Sequence, residues 1–242
     1  MNPAIKLTSV LLIYFTLGAG LIYKINKKKE SGNAWQNWIK FLVYLGLIFS
    51  LFAVIEFFTS YFRYVCLWIV LVSAYELVRL EVNSLPHRKL FFSSVFVYFF
   101  ILSGLFYSFS TLERPLMIIT FFTVSAFDAF SQMAGQIFGK YKIVPKISPN
   151  KTFGGLIGGI TMAILTAIFV GNILELGSKK SFFLGICIGP SSFIGDLTAS
   201  IVKRKYQVKD FSQFIPGHGG YLDRFDSLIF AGAVVFILTR LM

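Results

Sequence analysis

The residues best suited to chemistry are concentrated in one stretch near the C-terminal end, residues 195–226. The stretch lies between two apolar runs and holds both acids and bases, although only 14% of the chain is charged. They are Asp196, Asp210, Asp223 and Asp226, and Lys203, Arg204, Lys205, Lys209 and Arg224. Opposite charges gathered beside apolar runs predict a site at a membrane edge for a charged ligand bridged by metal.

Helical spacing places several of these groups on common faces. A helix through Asp196, Ser200 and Lys203 would line one wall with a carboxylate, a hydroxyl and an ammonium. Asp223 and Asp226 are three residues apart, so they share a face if a helix starts near them. Residues 216–220 between these groups cannot form regular helix, and their glycines allow backbone N–H groups to approach an anion.

A second polar set lies at the end of an earlier apolar run. Asp128, Gln132 and Gln136 recur at every fourth position, and small residues widen the same face. An ionised Asp at mid-membrane costs about 2.5–3.5 kcal/mol, so Asp128 is expected to face a wet cavity or a partner. The alternative is that the Gln and Gly residues only hold helices together.

A basic loop follows at residues 140–152, with lysines and no acid. Pro145 and Pro149 hold it in a non-helical path. Its lysines, with the Ser148 and Thr152 hydroxyls, suit a polyphosphate. A loop of this composition is also typical of the cytoplasmic ends of membrane helices, and its first two lysines are interpreted in that way.

Both stretches resemble the phosphatidate cytidylyltransferase family, the CDP-diacylglycerol synthases. One hallmark, Pro-Lys-Ile-Ser-Pro-x-Lys-Thr, is carried by Lys146, Ser148, Pro149, Lys151 and Thr152. The other joins Ser-x-x-Lys-Arg, Lys-Asp, Pro-x-His-Gly-Gly and Asp-Arg-x-Asp, and is carried by Ser200, Lys203, Arg204, Lys209, Asp210, Pro216, His218, Gly219, Gly220, Asp223, Arg224 and Asp226. The resemblance is strong over residues 128–226, whereas residues 1–120 agree only as hydrophobic runs.

The chain departs from this family at Gly154, where members commonly have Glu. The effect of the missing acid on activity is left open. Glycines at 154, 155, 158 and 159 instead predict a face for close helix packing.

The resemblance implies that CTP and phosphatidate react to give CDP-diacylglycerol and pyrophosphate. It implies a divalent cation, expected to be Mg²⁺, on Asp196, Asp223 and Asp226, and it allows a second, monovalent cation. Ser200 and Lys203 complete the expected catalytic set. The expected substrate-binding residues are Lys146, Ser148, Lys151, Thr152, Arg204, Lys209, His218 and Arg224, with Asp128 as a further ligand or lysine partner.

Two other classes of function are left open. Another CTP-dependent membrane lipid transferase or a polyprenol kinase would use similar residues, but a kinase releases CDP whereas a cytidylyltransferase releases pyrophosphate. A transporter or scaffold without chemistry would have acids near mid-membrane and internal repeats. Here the charges gather at one face and no repeat is visible.

The elements that must position these residues are membrane helices. The chain has 242 residues, 29 Phe and a mean hydropathy of +0.73, and its apolar runs are each long enough to cross a hydrocarbon core of about 30 Å. The predicted fold is all-α, a single integral-membrane domain over residues 1–242 with the motifs in residues 121–242. About eight spans are predicted: Leu7–Tyr23, Ile39–Thr59, Tyr64–Leu80, Leu90–Phe109, Pro115–Phe138, Phe153–Leu174, Ser181–Val202 and Phe225–Leu241.

Charge distribution predicts the orientation of these spans. With both termini outside, most of the 23 Lys and Arg residues lie on the cytoplasmic side, together with every motif. The net charge of +12 is therefore interpreted as topology and attraction to anionic headgroups, and no nucleic-acid-binding module is visible. A bacterial inner membrane is the expected location. CTP, phosphatidate and the bilayer are the expected partners, and a homodimer is left open.

Four further residues receive structural interpretations. Cys66 and Cys187 lie inside apolar runs and are expected to serve in packing. Glu76 and Arg79 are three residues apart at a helix end and are interpreted as an ion pair.

Overall fold

The computed structural model describes residues 3–27, 31–82, 89–215 and 219–241. Eight helices occur in this part of the chain: α1 (Pro3–Asn26), α2 (Ser31–Phe57), α3 (Thr59–Val82), α4 (Lys89–Phe109), α5 (Arg114–Phe138), α6 (Phe153–Ile173), α7 (Ser178–Lys205) and α8 (Leu222–Leu241). Each predicted span lies within one of them, apart from one or two terminal residues. The all-α prediction is confirmed.

Part of the bundle consists of helices that have the length and composition of membrane spans. Among the described helices, α5, α6 and α7 are long and apolar enough to cross a membrane. Shorter apolar segments lie in α1, α2 and α4, at residues 3–16, 41–57 and 93–109. These helices are those of an integral membrane protein.

The connection between α5 and α6 contains regular structure that the sequence does not predict. It forms an antiparallel hairpin of two strands, β1 (Lys142–Val144) and β2 (Ser148–Thr152). Pro145 lies in the turn, and the pairing register shifts along the hairpin because β2 carries extra residues near Pro149. A proline, which has no N–H to donate, is tolerated at such an irregularity.

Helices α5 and α6 approach each other through small residues. A Cβ atom at Gly155 would lie 2.7 Å from the Ser131 carbonyl oxygen, and one at Gly159 would lie 2.8 Å from the Phe127 ring. Such distances exclude a larger side chain unless the backbone moves. The glycine packing face predicted from the sequence is confirmed at this crossing.

A similar close approach joins α7 and α8. Gly195 packs on the backbone of α8, since a Cβ atom there would lie 2.6 Å from the Asp226 carbonyl oxygen. The next residue of α7 is Asp196. The contact therefore brings the Asp196 and Asp226 carboxylates within electrostatic range of each other.

Candidate functional site

A cavity of about 1050 Å³ lies between α2, α5, α7, α8 and the hairpin. Its lining includes Gln132 and Gln136 of α5, on the same face as Asp128. The predicted site residues that line it are Asp128, Ser148, Lys151, Thr152, Asp196, Lys203, Asp223, Arg224 and Asp226. The fold thus brings both hallmark stretches and the polar face of α5 into one site.

Other predicted site residues lie away from this lining. Ser200 is buried, and its hydroxyl donates a hydrogen bond of 3.3 Å to Asp196 Oδ1. Lys146 is exposed in the hairpin turn. Lys209 lines a separate cavity of about 660 Å³ together with Arg79. His218 lies outside the described residues.

Arg204 joins two elements through its guanidinium. Nε donates to the Ile147 carbonyl and Nη1 donates to the Val208 carbonyl, both at 3.0 Å. These bonds tie the hairpin turn to the C-terminal end of α7. The structure gives Arg204 a structural contact, and its predicted binding of a phosphate stays a prediction.

Two ion pairs of the site connect different elements. Lys151 Nζ is 2.8 Å from Asp196 Oδ2, and Lys203 Nζ is 2.6 Å from Asp223 Oδ1. Asp196 and Lys203 share a helix face, yet each is paired with a residue of another element. Apart from Asp196, the buried Lys151 ammonium has no polar partner among the described residues, so it retains N–H donors for a ligand.

Asp223 is held by three donors. Its side chain is 1% exposed; Oδ1 accepts from Lys203, and Oδ2 accepts from the backbone N–H groups of Phe211 (2.8 Å) and Gly220 (2.9 Å). Of the stretch 216–220, whose N–H groups the sequence predicts to approach an anion, Gly220 therefore binds a carboxylate of the protein itself. A carboxylate has about four acceptor sites, so one remains for a cation.

Three further acids of the site come from three different helices. Asp128, Asp196 and Asp226 lie within electrostatic range of one another. Ser227 supports two of them: Oγ donates to Asp128 Oδ1 at 3.3 Å, and its backbone N–H donates to Asp226 Oδ1 at 2.7 Å. Repulsion among carboxylates in a recessed site is relieved when a cation binds between them.

The oxygen donors of the site fit a magnesium ion. The donors are oxygens, which Mg²⁺ prefers, and Mg²⁺ in proteins commonly takes one or two carboxylates and completes its shell with phosphates and water. Within the described ranges, no group of three His, Cys, Asp or Glu side chains is arranged to hold a metal alone.

Helix α2, which carries no motif, contributes several apolar residues to the cavity. Its lining residues in this helix are Phe41, Tyr44, Leu47, Ile48 and Leu51. Phe121 and Val124 of α5 are further apolar residues of the lining. Such residues are abundant in every span, so the sequence holds no signal that could have identified these ones.

Glu76 of α3 is not paired with Arg79, and that prediction is wrong. Its carboxylate is buried and accepts hydrogen bonds from the Ser212 hydroxyl and from the backbone N–H groups of Tyr221 and Leu222. A buried acid within an apolar run is itself a signal of function. The ion-pair interpretation obscured that signal, because a partner at helical spacing was present in the sequence.

At Gly154, the backbone leaves no space for the Glu that the resemblance leads one to expect. A Cβ atom at this position would lie 2.6 Å from the Phe138 carbonyl oxygen. Any larger residue requires α5 and α6 to move apart. The absence of Glu at this position therefore goes together with the close packing of α5 and α6.

Comparisons with known proteins identify the family of the chain. A family model described as "Cytidylyltransferase family" matches residues 7–242. Phosphatidate cytidylyltransferase of Haemophilus influenzae is 44% identical over 119 residues, which is 47% of this chain and 41% of that protein. The Aquifex aeolicus enzyme of the same name is 34% identical over 162 residues, covering 66% and 59% of the two chains.

A relative without an assigned function matches equally well. The uncharacterised protein YnbB of Escherichia coli is 41% identical over 114 residues, which is 47% of this chain and 38% of that protein. For these three relatives, the chain thus matches about two fifths to three fifths of their length.

Proposed function

Because the chain belongs to the cytidylyltransferase family, we propose that it transfers CMP from CTP to phosphatidate, giving CDP-diacylglycerol and pyrophosphate. The observation that carries this proposal is the mixed lining of the large cavity. It combines acids and basic residues with apolar side chains, five of its lining residues coming from α2. Such a lining suits a charged nucleotide and a lipid phosphate in the same site.

The reaction requires charge control more than proton transfer. A phosphate oxygen of phosphatidate attacks the α-phosphorus of CTP, and the bond from that phosphorus to pyrophosphate breaks. The attacking oxygen is already anionic, so a strong general base is unnecessary, and the main obstacle is repulsion between two anions. Lys151, Lys203 and Arg224 line the cavity and are proposed to neutralise these phosphates.

Magnesium is proposed on Asp196 and Asp226, with the remaining acceptor site of Asp223 as a third ligand. When bound, the ion would supply positive charge that stabilises the transferred phosphate and the leaving pyrophosphate. Asp128 is proposed as a further ligand, either for this ion or for a second, monovalent cation. Lys151 holds Asp196 in position, and Ser227 does so for both Asp128 and Asp226.

The lipid is proposed to enter sideways from the inner leaflet, between spans. The apolar residues of α2 would then face the part of phosphatidate next to its headgroup. In this arrangement the eight helices span the membrane with both termini outside, and the site faces the cytoplasm. The distribution of Lys and Arg supports that orientation.

The test is an assay of the purified protein with labelled CTP, phosphatidate and Mg²⁺. We expect pyrophosphate and CDP-lipid in equal amounts, with no product from an Asp226→Asn preparation run in parallel. Release of CDP with a phosphorylated lipid would instead identify a kinase. Absence of either product from folded protein would contradict a transferase function.

A further inference from the structure

The described residues between α7 and α8, 206–215 and 219–221, supply contacts of the site but form little regular structure of their own. The Phe211 and Gly220 backbone N–H groups of this segment hold Asp223. Gly219 has a positive φ of 82°, which a glycine adopts without strain. Because ordering such a segment costs conformational entropy, contacts from elsewhere must keep it in place.

Glu76 provides the most buried of these contacts. Its side chain comes from α3, outside both hallmark stretches, and the residue is 0% exposed. The carboxylate accepts from the Tyr221 and Leu222 backbone N–H groups, each at 2.9 Å, and from the Ser212 hydroxyl. N–H groups at the start of α8 lack partners within the helix, and a negative charge there is favourable. Glu76 therefore caps α8 from a different helix.

Gly220 lies between two carboxylates. Its N–H donates to Asp223 Oδ2 at 2.9 Å, while a Cβ atom on it would lie 2.5 Å from Glu76 Oε1 and 2.8 Å from Oε2. The Glu76 carboxylate thus packs directly on the peptide that holds Asp223. A change at Glu76 would therefore affect the Gly220 backbone, whose N–H is bonded directly to Asp223.

Other residues of α3 hold the same segment. The Tyr206 hydroxyl donates to Glu81 Oε2 at 2.7 Å, and the rings of Tyr75 and Phe214 have centroids 6.1 Å apart. Contacts from α3 therefore occur near both ends of the segment and within it. Glu76 differs from the others because it bonds directly to the peptides that precede Asp223.

We propose that Glu76 is a positioning residue: its carboxylate fixes Ser212 and the Tyr221 and Leu222 peptides, and thereby presents Asp223 to Lys203 and to the cation. The effect on turnover rests on the proposed function, whereas the effect on the segment does not. A carboxylate is required because all three partners are donors. An amide at this position would turn an N–H group toward one of them and leave that donor unsatisfied.

The first test measures coupling between Glu76 and Gly220 by thermal unfolding in detergent, without reference to activity. Gly220→Ala should lower the melting temperature in the parent protein, because the new methyl group displaces the carboxylate. In a Glu76→Ala background the same change should have a much smaller effect. Gly46→Ala is the control, since a Cβ atom there has open space. Additive effects of the two changes would overturn the proposal.

The second test measures turnover per folded molecule. Glu76→Gln should lower kcat roughly tenfold to hundredfold and raise the Mg²⁺ concentration needed for half-maximal rate, because Asp223 is misplaced. Glu76→Asp should recover part of the loss. Glu56→Gln is the matched control, since Glu56 is a buried acid of α2 that pairs with Arg114.

An unchanged kcat and Mg²⁺ requirement in Glu76→Gln would show a purely structural role and overturn the positioning proposal. The two tests separate the proposals. If the parent protein lacks transferase activity, the proposed function fails, while the coupling of Glu76 to Gly220 is still measured by unfolding.

Discussion

At the scale of single residues, the acids of the site are held in different ways. Asp223 is bonded to three donors and nearly fully buried, whereas Asp226 accepts one bond from its neighbour Ser227 and lies close to Asp128 and Asp196. Asp223 therefore combines a structural role with its proposed metal role, while Asp226 is more available to a cation.

Replacing these acids by amides should separate the two roles. Asp223→Asn and Asp226→Asn should each remove nearly all turnover, because a neutral amide cannot balance the cation. Only Asp223→Asn should also lower the melting temperature, since it disturbs the Lys203 ion pair and the two backbone bonds. Retention of more than about a tenth of the activity, equivalent to about 1.4 kcal/mol of barrier, would argue against metal binding by that acid.

Replacing a lysine of the hairpin should affect activity to a degree that depends on the position of that lysine. Lys151→Ala should impair use of CTP or phosphatidate far more than Lys142→Ala, because Lys151 lines the cavity beside Asp196 and Lys142 is exposed. Steady-state kinetics with each substrate varied in turn would measure the difference. Equal losses in the two variants would mean that the hairpin acts through its overall charge.

The Asp196–Lys151 pair allows a test of what Asp196 does. If Asp196 served only to neutralise Lys151, the double variant Asp196→Asn/Lys151→Met would recover activity lost in the single variants, because both charges are removed together. We expect no recovery, since the double variant still lacks the Asp196 metal ligand. CDP-lipid formed per folded protein is the quantity to compare across the four proteins.

At the scale of elements, close helix packing governs which side chains the site can contain. Gly154 stands against the end of α5, and Gly155 and Gly159 continue the same contact along α6. This packing positions the hairpin, because β2 ends at Thr152 and α6 begins at Phe153. The Thr152 side chain also caps α6 by accepting from the Gly155 N–H at 3.1 Å.

Gly154→Glu, which introduces the residue common in the family, should therefore be harmful here. The new side chain would force α5 and α6 apart, so both melting temperature and turnover should fall. Tyr141→Glu is a suitable control, because Tyr141 is exposed at the start of the hairpin. Higher activity in Gly154→Glu would show that the site lacks an acid and that the packing adapts to it.

At the scale of the whole molecule, the orientation of the bundle decides whether the site can receive cytoplasmic nucleotide. Single cysteines at positions 145 and 213, in a background without Cys66 and Cys187, should react with impermeant reagents only from the cytoplasmic side. A cysteine at position 113, between α4 and α5, should react from outside. Labelling of position 145 or 213 from outside would reject both the topology and the proposed access to CTP.

The sequence by itself determined the helices and identified many of the polar residues that line the cavity. Apolar runs of span length and the breaks between them depend on local composition, so the predicted spans agree with α1 to α8. Helical spacing also placed Asp128, Gln132 and Gln136 on one face, and all three line the cavity. These features need only the periodicity of one element.

The tertiary structure alone decided which of these groups meet. Local spacing associates Asp196 with Lys203 and Glu76 with Arg79, but Lys203 is paired with Asp223, Asp196 with Lys151, and Glu76 with the start of α8. Partners on different elements depend on how closely and at what offset helices pack, as at Gly195, and helical periodicity contains no information about that offset. For the same reason the apolar residues that α2 contributes to the cavity became visible only in the folded molecule.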